Sequence, residues 1–146
     1  YGNDIFISMN ELNMAHTNNV PPHPTILPVL EKVKGVYKLW NEYHGKIPKS
    51  QRYSLGNKID TIFIEIIEMI ASATFLSKSE KAPYIKVAIR KLDTVKILLM
   101  ILWETRGLDE KKYIALSIPL HEIGRNFGGW YGQVVKQNSP DNAGEK

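Results

Sequence analysis

Apolar residues recur at three- and four-residue steps from about Ile26 to Lys136, in four runs separated by Gly, Pro and Ser. A period near 3.6, held that long, commits most of the chain to amphipathic helices. The first run spans about Ile26 to Tyr43, with Leu30, Val33, Val36, Tyr37 and Trp40 on its stripe; Gly45 and Pro48 close it. The second opens at Lys49 or Ser50 and reaches about Leu76 through Leu55, Ile59, Ile62, Phe63, Ile66, Ile67, Ile70, Ala73 and Thr74. Its many Ile residues suit a strand locally, but the sustained helical period outweighs that preference. Ser79 is the expected N-cap of the third run, with Pro83 tolerated in its first turn. That run continues to about Thr105 along Ile85, Ala88, Ile89, Leu92, Val95, Leu99 and Leu102. Gly107 reads as a C-terminal stop and Asp109 as the next N-cap. The fourth run reaches about Lys136 through Tyr113, Leu116, Leu120, Ile123, Phe127, Trp130 and Val134. Pro119 lies inside it and predicts a kink or local break.

Four such helices with short connections predict an all-α fold, an up-down-up-down antiparallel four-helix bundle over residues 26–137. Helices of about 25 residues are roughly 38 Å long. Residues 1–25 are rich in Asn and end in Pro21, Pro22 and Pro24, so a mostly irregular N-terminal extension is expected. Ile5, Phe6 and Ile7 are candidates for a short strand or a docking segment. Residues 138–146 read as a flexible tail, frayed from Asn138 onward. No apolar run reaches the length of a membrane span. Tyr1 to Ile7 lack the pattern of a signal peptide. The absence of Cys excludes disulfides and thiolate metal sites and fits a cytoplasmic location.

Charge is uneven. The chain carries a formal +4, but residues 26–136 hold 18 Lys and Arg against 11 Asp and Glu. The periodic region is therefore at +7, which favours polyanionic partners. Lys86 and Arg90 are four apart on the third helix, with Lys91 adjacent and Lys96 further along; Asp93 is the acid nearest them. A row of long cations suits phosphates without base-specific contacts. The competing reading is a solvated face that keeps a bundle soluble.

Catalytic patterns are missing. His16, His23, His44 and His121 make no His-x-x-x-His pair, and His121-Glu122 is not a Glu-x-x-His set. Asp60, Glu65 and Glu68 read as a solvated helix surface. The serines have no nucleophile-elbow setting, and no Gly-rich loop follows a strand. Helical RNA-cleaving domains often carry an Arg followed by a His after four to six residues; no Arg here has that spacing. A non-enzyme without metal or cofactor is expected. Gly124, Gly128 and Gly129, followed by Trp130, are unusual inside a helix, where each Gly costs about 1 kcal/mol relative to Ala. Gly124 and Gly128 are read on one face. Two readings stand: close packing against the first helix within the subunit, or packing between subunits.

Two groups of residues carry a resemblance: Ile47-Pro48-Lys49 leading into Arg52-Tyr53-Ser54-Leu55-Gly56, and Glu122-Ile123-Gly124-Arg125 with Gly128-Gly129-Trp130. Over about residues 27–136 the sequence resembles the Avd-like four-helix-bundle proteins. These are the accessory variability determinants of diversity-generating retroelements, grouped with the bundle proteins encoded in 23S rRNA intervening sequences. Residues 1–25 lie outside the pattern, and Pro119 departs from it. The resemblance implies a non-catalytic subunit of a homopentameric ring. It also implies binding to a reverse transcriptase and to RNA or DNA during mutagenic retrohoming. Fivefold repetition of the bundle would give roughly +35 per ring. Arg52 and Arg125 lie in the matched motifs; Lys86, Arg90, Lys91 and Lys96 follow from the basic character of the third helix. Within the subunit, Arg52 is equally suited to capping or bridging where it opens the second helix, and Arg125 to pairing with Glu122 or with an acid across the bundle. The alternative is an intervening-sequence-type RNA-associated or protein-interaction bundle with no retroelement partner.

Overall fold

The computed structural model describes residues 27–139. The expectations for residues 1–25, including the Ile5–Ile7 strand, lie outside the described residues, as do those for residues 140–146. Four helices fill the described chain: α1 is Leu27–His44, α3 is Lys78–Glu104 and α4 is Glu110–Gln137. Helix α2 is built of three successive pieces: Lys49–Gln51, a π-helical turn at Arg52–Gly56, and Asn57–Thr74. The described residues contain no strand. Every sequential pair of helices packs together, and α1 closes the set against α4.

The core is drawn mostly from the predicted stripes, joined by Ile47 and Leu108 of the connections. Val33, Val36 and Trp40 from α1 meet Ile59, Ile62, Phe63, Ile66 and Ile70 from α2. Ala88, Leu92, Val95, Leu99 and Leu102 from α3 and Leu116, Leu120, Ile123 and Phe127 from α4 complete the cluster. The α1–α2 seam is aromatic. Tyr37 meets Phe63 edge-on at 5.9 Å, Trp40 stacks on Phe63 at 6.0 Å, and His44 stacks on Trp40 at 5.1 Å. The Trp40 indole N–H donates to Asp60 at 3.2 Å, and burial followed by the Asp60 carboxylate pushes the Tyr37 hydroxyl above its ordinary pKa. Asp60 is thus a partner for buried aromatics and not part of a solvated face. Glu65 forms an ion pair with Lys91 of α3 and is half-buried. Of the three carboxylates read as solvated, Glu68 alone is exposed.

Several boundaries move. The N-cap of α3 is Ser77, two residues before the expected Ser79. Glu80 reaches back, its carboxylate accepting from the Ser77 backbone N–H at 3.4 Å and from the Ser77 hydroxyl at 3.0 Å. Pro83 consequently sits in the second turn, inside the helix. Asp109 caps α4 as predicted, accepting from the Lys112 N–H at 2.8 Å. Helix α4 continues through Pro119 without the expected break; a proline deletes one backbone bond, and the apolar stripe on either side holds the helix in place. At Asn138, where the tail is expected to begin, the side-chain amide donates to the Lys78 carbonyl at 2.8 Å, tying the end of α4 to the start of α3.

The end of α3 has an unexpected cap. Gly107 N–H donates to the Leu102 carbonyl at 2.7 Å and Arg106 N–H to the Trp103 carbonyl at 3.0 Å, the paired bonds of a Schellman motif. The left-handed position of that motif is Arg106, with φ 65°, and not Gly107. Gly107 is needed for space. A Cβ there would stand 2.3 Å from Leu102 Cδ1 and 2.7 Å from Gln51 Oε1. Arg106→Gly is therefore expected to stabilise the fold by about 0.5–1 kcal/mol, because left-handed backbone costs an L-residue about 1–2 kcal/mol and part of that relief is offset by glycine's entropy. Gly107→Ala is expected to cost about 1–3 kcal/mol, by overpacking against Leu102. Urea denaturation of the two variants checks both signs; an unchanged midpoint for either would contradict the cap geometry.

Candidate nucleic-acid interface

The six predicted cations do not form one site. Lys86 and Arg90 are exposed, one turn apart, in the first half of α3. The ion pairs among the described residues do not involve either of them. Lys91, by contrast, points toward α2 and pairs with Glu65 in a half-buried setting. Lys96 is half-buried and lies across Gly124: its Nζ is 2.9 Å from the place a Gly124 Cβ would occupy. Arg125 is exposed on α4. Leu92 and Lys96 both approach Gly124, so Arg90 and Arg125 lie at neighbouring levels of adjacent helices. Arg52 is at the other end of α3's span, on the π turn, where its Nε donates to the Ile47 carbonyl at 3.0 Å. That bond ties the π turn back to the α1–α2 connection, a bridge within the subunit and not a helix cap. The α3 row thus reduces to Lys86 and Arg90, because helical geometry turns Lys91 and Lys96 to opposite seams of the bundle.

The glycines separate in the same way. Gly124 packs against α3, through Leu92 and Lys96, and not against α1. Gly128 and Gly129 have nothing within 4 Å of a would-be Cβ. Close packing within the subunit therefore does not explain them. Gly129 and Trp130 line a shallow α1–α4 groove with Pro28, Val29, Lys32 and Arg125. Pro119 lines the continuation of that groove, with Gly35, Val36 and Leu39.

Lys32 crosses the groove, donating to Glu122 at 2.7 Å and to Asn126 at 3.0 Å. The hydrogen bond and charge of Lys32, helped by Arg125, hold the Glu122 carboxyl below its ordinary pKa, slightly opposed by burial. A depressed carboxylate pKa means that this contact contributes above the ordinary glutamate range and is lost as pH falls through the lowered value. Both side chains are well exposed, so the effect on stability is small. Lys32→Met is expected to move the Glu122 titration, followed by carboxyl NMR, up toward the ordinary range. An unmoved titration would mean that the bridge does not persist in solution.

Sequence reasoning missed a set of exposed apolar side chains. Ile97, Met100 and Ile101 occupy the last turns of α3, and Ile114 and Ile118 the first turns of α4; Ile118 is 66% exposed and Ile97 54%. They lie off the core stripes, which was the available signal. In sequence they flank the α3–α4 connection, where Trp103 stacks on Tyr113 at 4.8 Å. Tyr53, on the π turn, is also 66% exposed.

Among the described residues, no group of three or more His, Cys, Asp or Glu side chains could hold a metal ion. No helix described is long and apolar enough to cross a membrane. No protein-family model matches this sequence, and neither the curated proteins nor the solved structures with which it was compared gave a match.

Proposed function

We propose that this chain is a non-catalytic, self-associating bundle that binds nucleic acid through its outer cations and serves as an accessory subunit to a reverse transcriptase. The observation that carries the reading is the exposed pair Lys86 and Arg90, without ion-pair partners among the described residues, near the level of Arg125 on the next helix. Phosphates a few ångströms apart suit such a surface, and no base-reading element is needed. The retroelement assignment rests on the resemblance of the Ile47–Gly56 and Glu122–Trp130 motifs to the Avd-like proteins. Self-association, in a ring of five by that resemblance, is supported by the Ile97, Met100, Ile101, Ile114 and Ile118 surface, because apolar patches of this kind mark contacts with other proteins. A cytoplasmic site of action belongs to the same reading.

That apolar surface also favours a second reading, a protein-interaction bundle without a retroelement partner. Two measurements separate the readings. Sedimentation velocity is expected to show an assembly larger than the monomer. Fluorescence anisotropy with labelled RNA hairpin, DNA duplex and RNA–DNA hybrid is expected to show affinity that falls steeply with salt. An assembly that binds none of the three at low salt would leave the protein-interaction reading standing alone.

A further inference from the structure

The end of the bundle that holds the π turn carries chemistry that the α3 cations do not share. From Gly45 to Lys58 the chain has Lys46, Lys49, Arg52 and Lys58 and no acid. Lys46, Lys49 and Lys58 are exposed. Tyr53 stands among them, with Lys49 one turn before it and the Arg52 guanidinium 6.0 Å from its ring centroid. The ring is 66% exposed although an aromatic of this size is usually drawn into a core. The π turn is what projects it. Gly56 packs its backbone against the His44 ring, leaving only 3.0 Å for a Cβ, and His44 Nε2 lies 3.4 Å from the Arg52 carbonyl. The turn is therefore locked to α1 on its inner side, and the extra residue of the π turn displaces Tyr53 outward. Single π turns inside α-helices recur at functional sites.

A second connection joins this surface. The Gln51 side-chain amide donates to the Thr105 hydroxyl at 2.7 Å and to the Thr105 carbonyl at 3.3 Å. That brings the α3–α4 connection, with exposed Arg106 at φ 65°, beside the start of α2. Backbone strain of this kind, in a residue that glycine would replace without strain, is found where the side chain has a use. The acids of this end are Glu42 on α1 and Glu104, Asp109 and Glu110 around the α3–α4 connection; Asp109 is engaged as a cap.

We infer that this end is a single-strand site: an unpaired nucleotide stacks on Tyr53, and Lys49, Arg52 and Arg106 hold its flanking phosphates. The inference rests on the nucleic-acid reading above and adds a place and a ligand form to it. An exposed ring among cations fits an unpaired base, whose face is free, and not a duplex, whose bases are stacked on one another. Tyr84, the exposed ring nearest them in sequence, lies about 200° round α3 from Lys86, so Lys86 and Arg90 fit duplex or hybrid backbone.

The test uses the full chain, a fluorescein-labelled single strand of uridines and a duplex of the same length. Tyr53→Ala is expected to weaken single-strand binding by roughly 5- to 100-fold, the range for loss of one stacked base, and to leave duplex binding within about twofold. Tyr53→Phe is expected to keep wild-type affinity, because the ring and not the hydroxyl makes the contact. Lys49→Gln and Arg106→Gln are each expected to lower the single-strand log–log salt slope by about 0.7. Thermal melts confirm that each variant is folded. Single-strand affinity unchanged in folded Tyr53→Ala overturns the site, as does an equal loss in Tyr53→Phe and Tyr53→Ala. If the wild type binds duplex but Tyr53 has no effect on any probe, this inference falls and the general reading stands. If the wild type binds no probe at all, both fall.

Discussion

Phe63→Ala is expected to lower the free energy of unfolding by about 3–5 kcal/mol. The ring is 1% exposed and lies at the centre of the α1–α2 seam. Removing it takes away the edge contact with Tyr37 and the stack with Trp40 together. Trp40 then loses its support on one face while still stacked on His44 and bonded to Asp60. The resulting cavity cannot collapse easily, because its other walls are rigid rings and β-branched Ile59, Ile62 and Ile66. A domain of this size is stable by only about 5–15 kcal/mol, so one substitution consumes a large share. Ile64→Ala, next in sequence but exposed, is expected to change stability by less than about 0.5 kcal/mol. Guanidinium denaturation followed by far-UV circular dichroism measures both. A loss below 1 kcal/mol for Phe63→Ala would show that α1 does not pack on α2 as described.

The contrast between Phe63 and Ile64 marks what a sequence of this kind discloses. Burial follows periodicity, because a helix repeats its faces and one face must leave water. The stripes through Val33, Phe63, Leu92 and Phe127 were therefore legible without coordinates. What was not legible depends on departures from that repeat. The π turn inserts one residue into α2 and re-aims Tyr53, and nothing in the local composition marks it. Ser77 displaces Ser79 as a cap because Glu80, three residues on, completes a reciprocal pair; that spacing was present in the sequence. Arg106 takes the left-handed position ahead of a glycine whose missing side chain makes room for Leu102 and Gln51, which only their packing discloses.

The candidate site divides along the same line. A helix row read from four-residue spacing gave Lys86 and Arg90 correctly as neighbours on an exposed face. It grouped Lys91 and Lys96 with them, but residues one and six positions from Arg90 are rotated by about 100° and 240° and reach different seams. Lys91 meets Glu65 on α2, and Lys96 covers Gly124 on α4. Sequence supplies the charges, but only the packing of neighbouring helices decides which of them are already engaged.

That division determines the decisive binding experiment. The double variant Lys86→Glu with Arg90→Glu is expected to weaken duplex binding at least about tenfold at low salt, and to flatten the log–log salt slope by about 2, one phosphate contact per cation. Both side chains are exposed, so the variant is expected to melt close to the wild type. Lys91→Glu is its control in the opposite sense. It sets a second carboxylate against Glu65 between α2 and α3, so it is expected to lower stability with little direct effect on the slope. Lys91→Met removes the charge without the repulsion and separates folding from binding. Repetition of Lys86 and Arg90 in an assembly would multiply the effect, so the slope change per subunit is read together with the sedimentation coefficient. A double variant that binds duplex with the wild-type slope would remove α3 from the interface. A flattened slope in a folded, still assembled double variant would place phosphate on the outer face of α3.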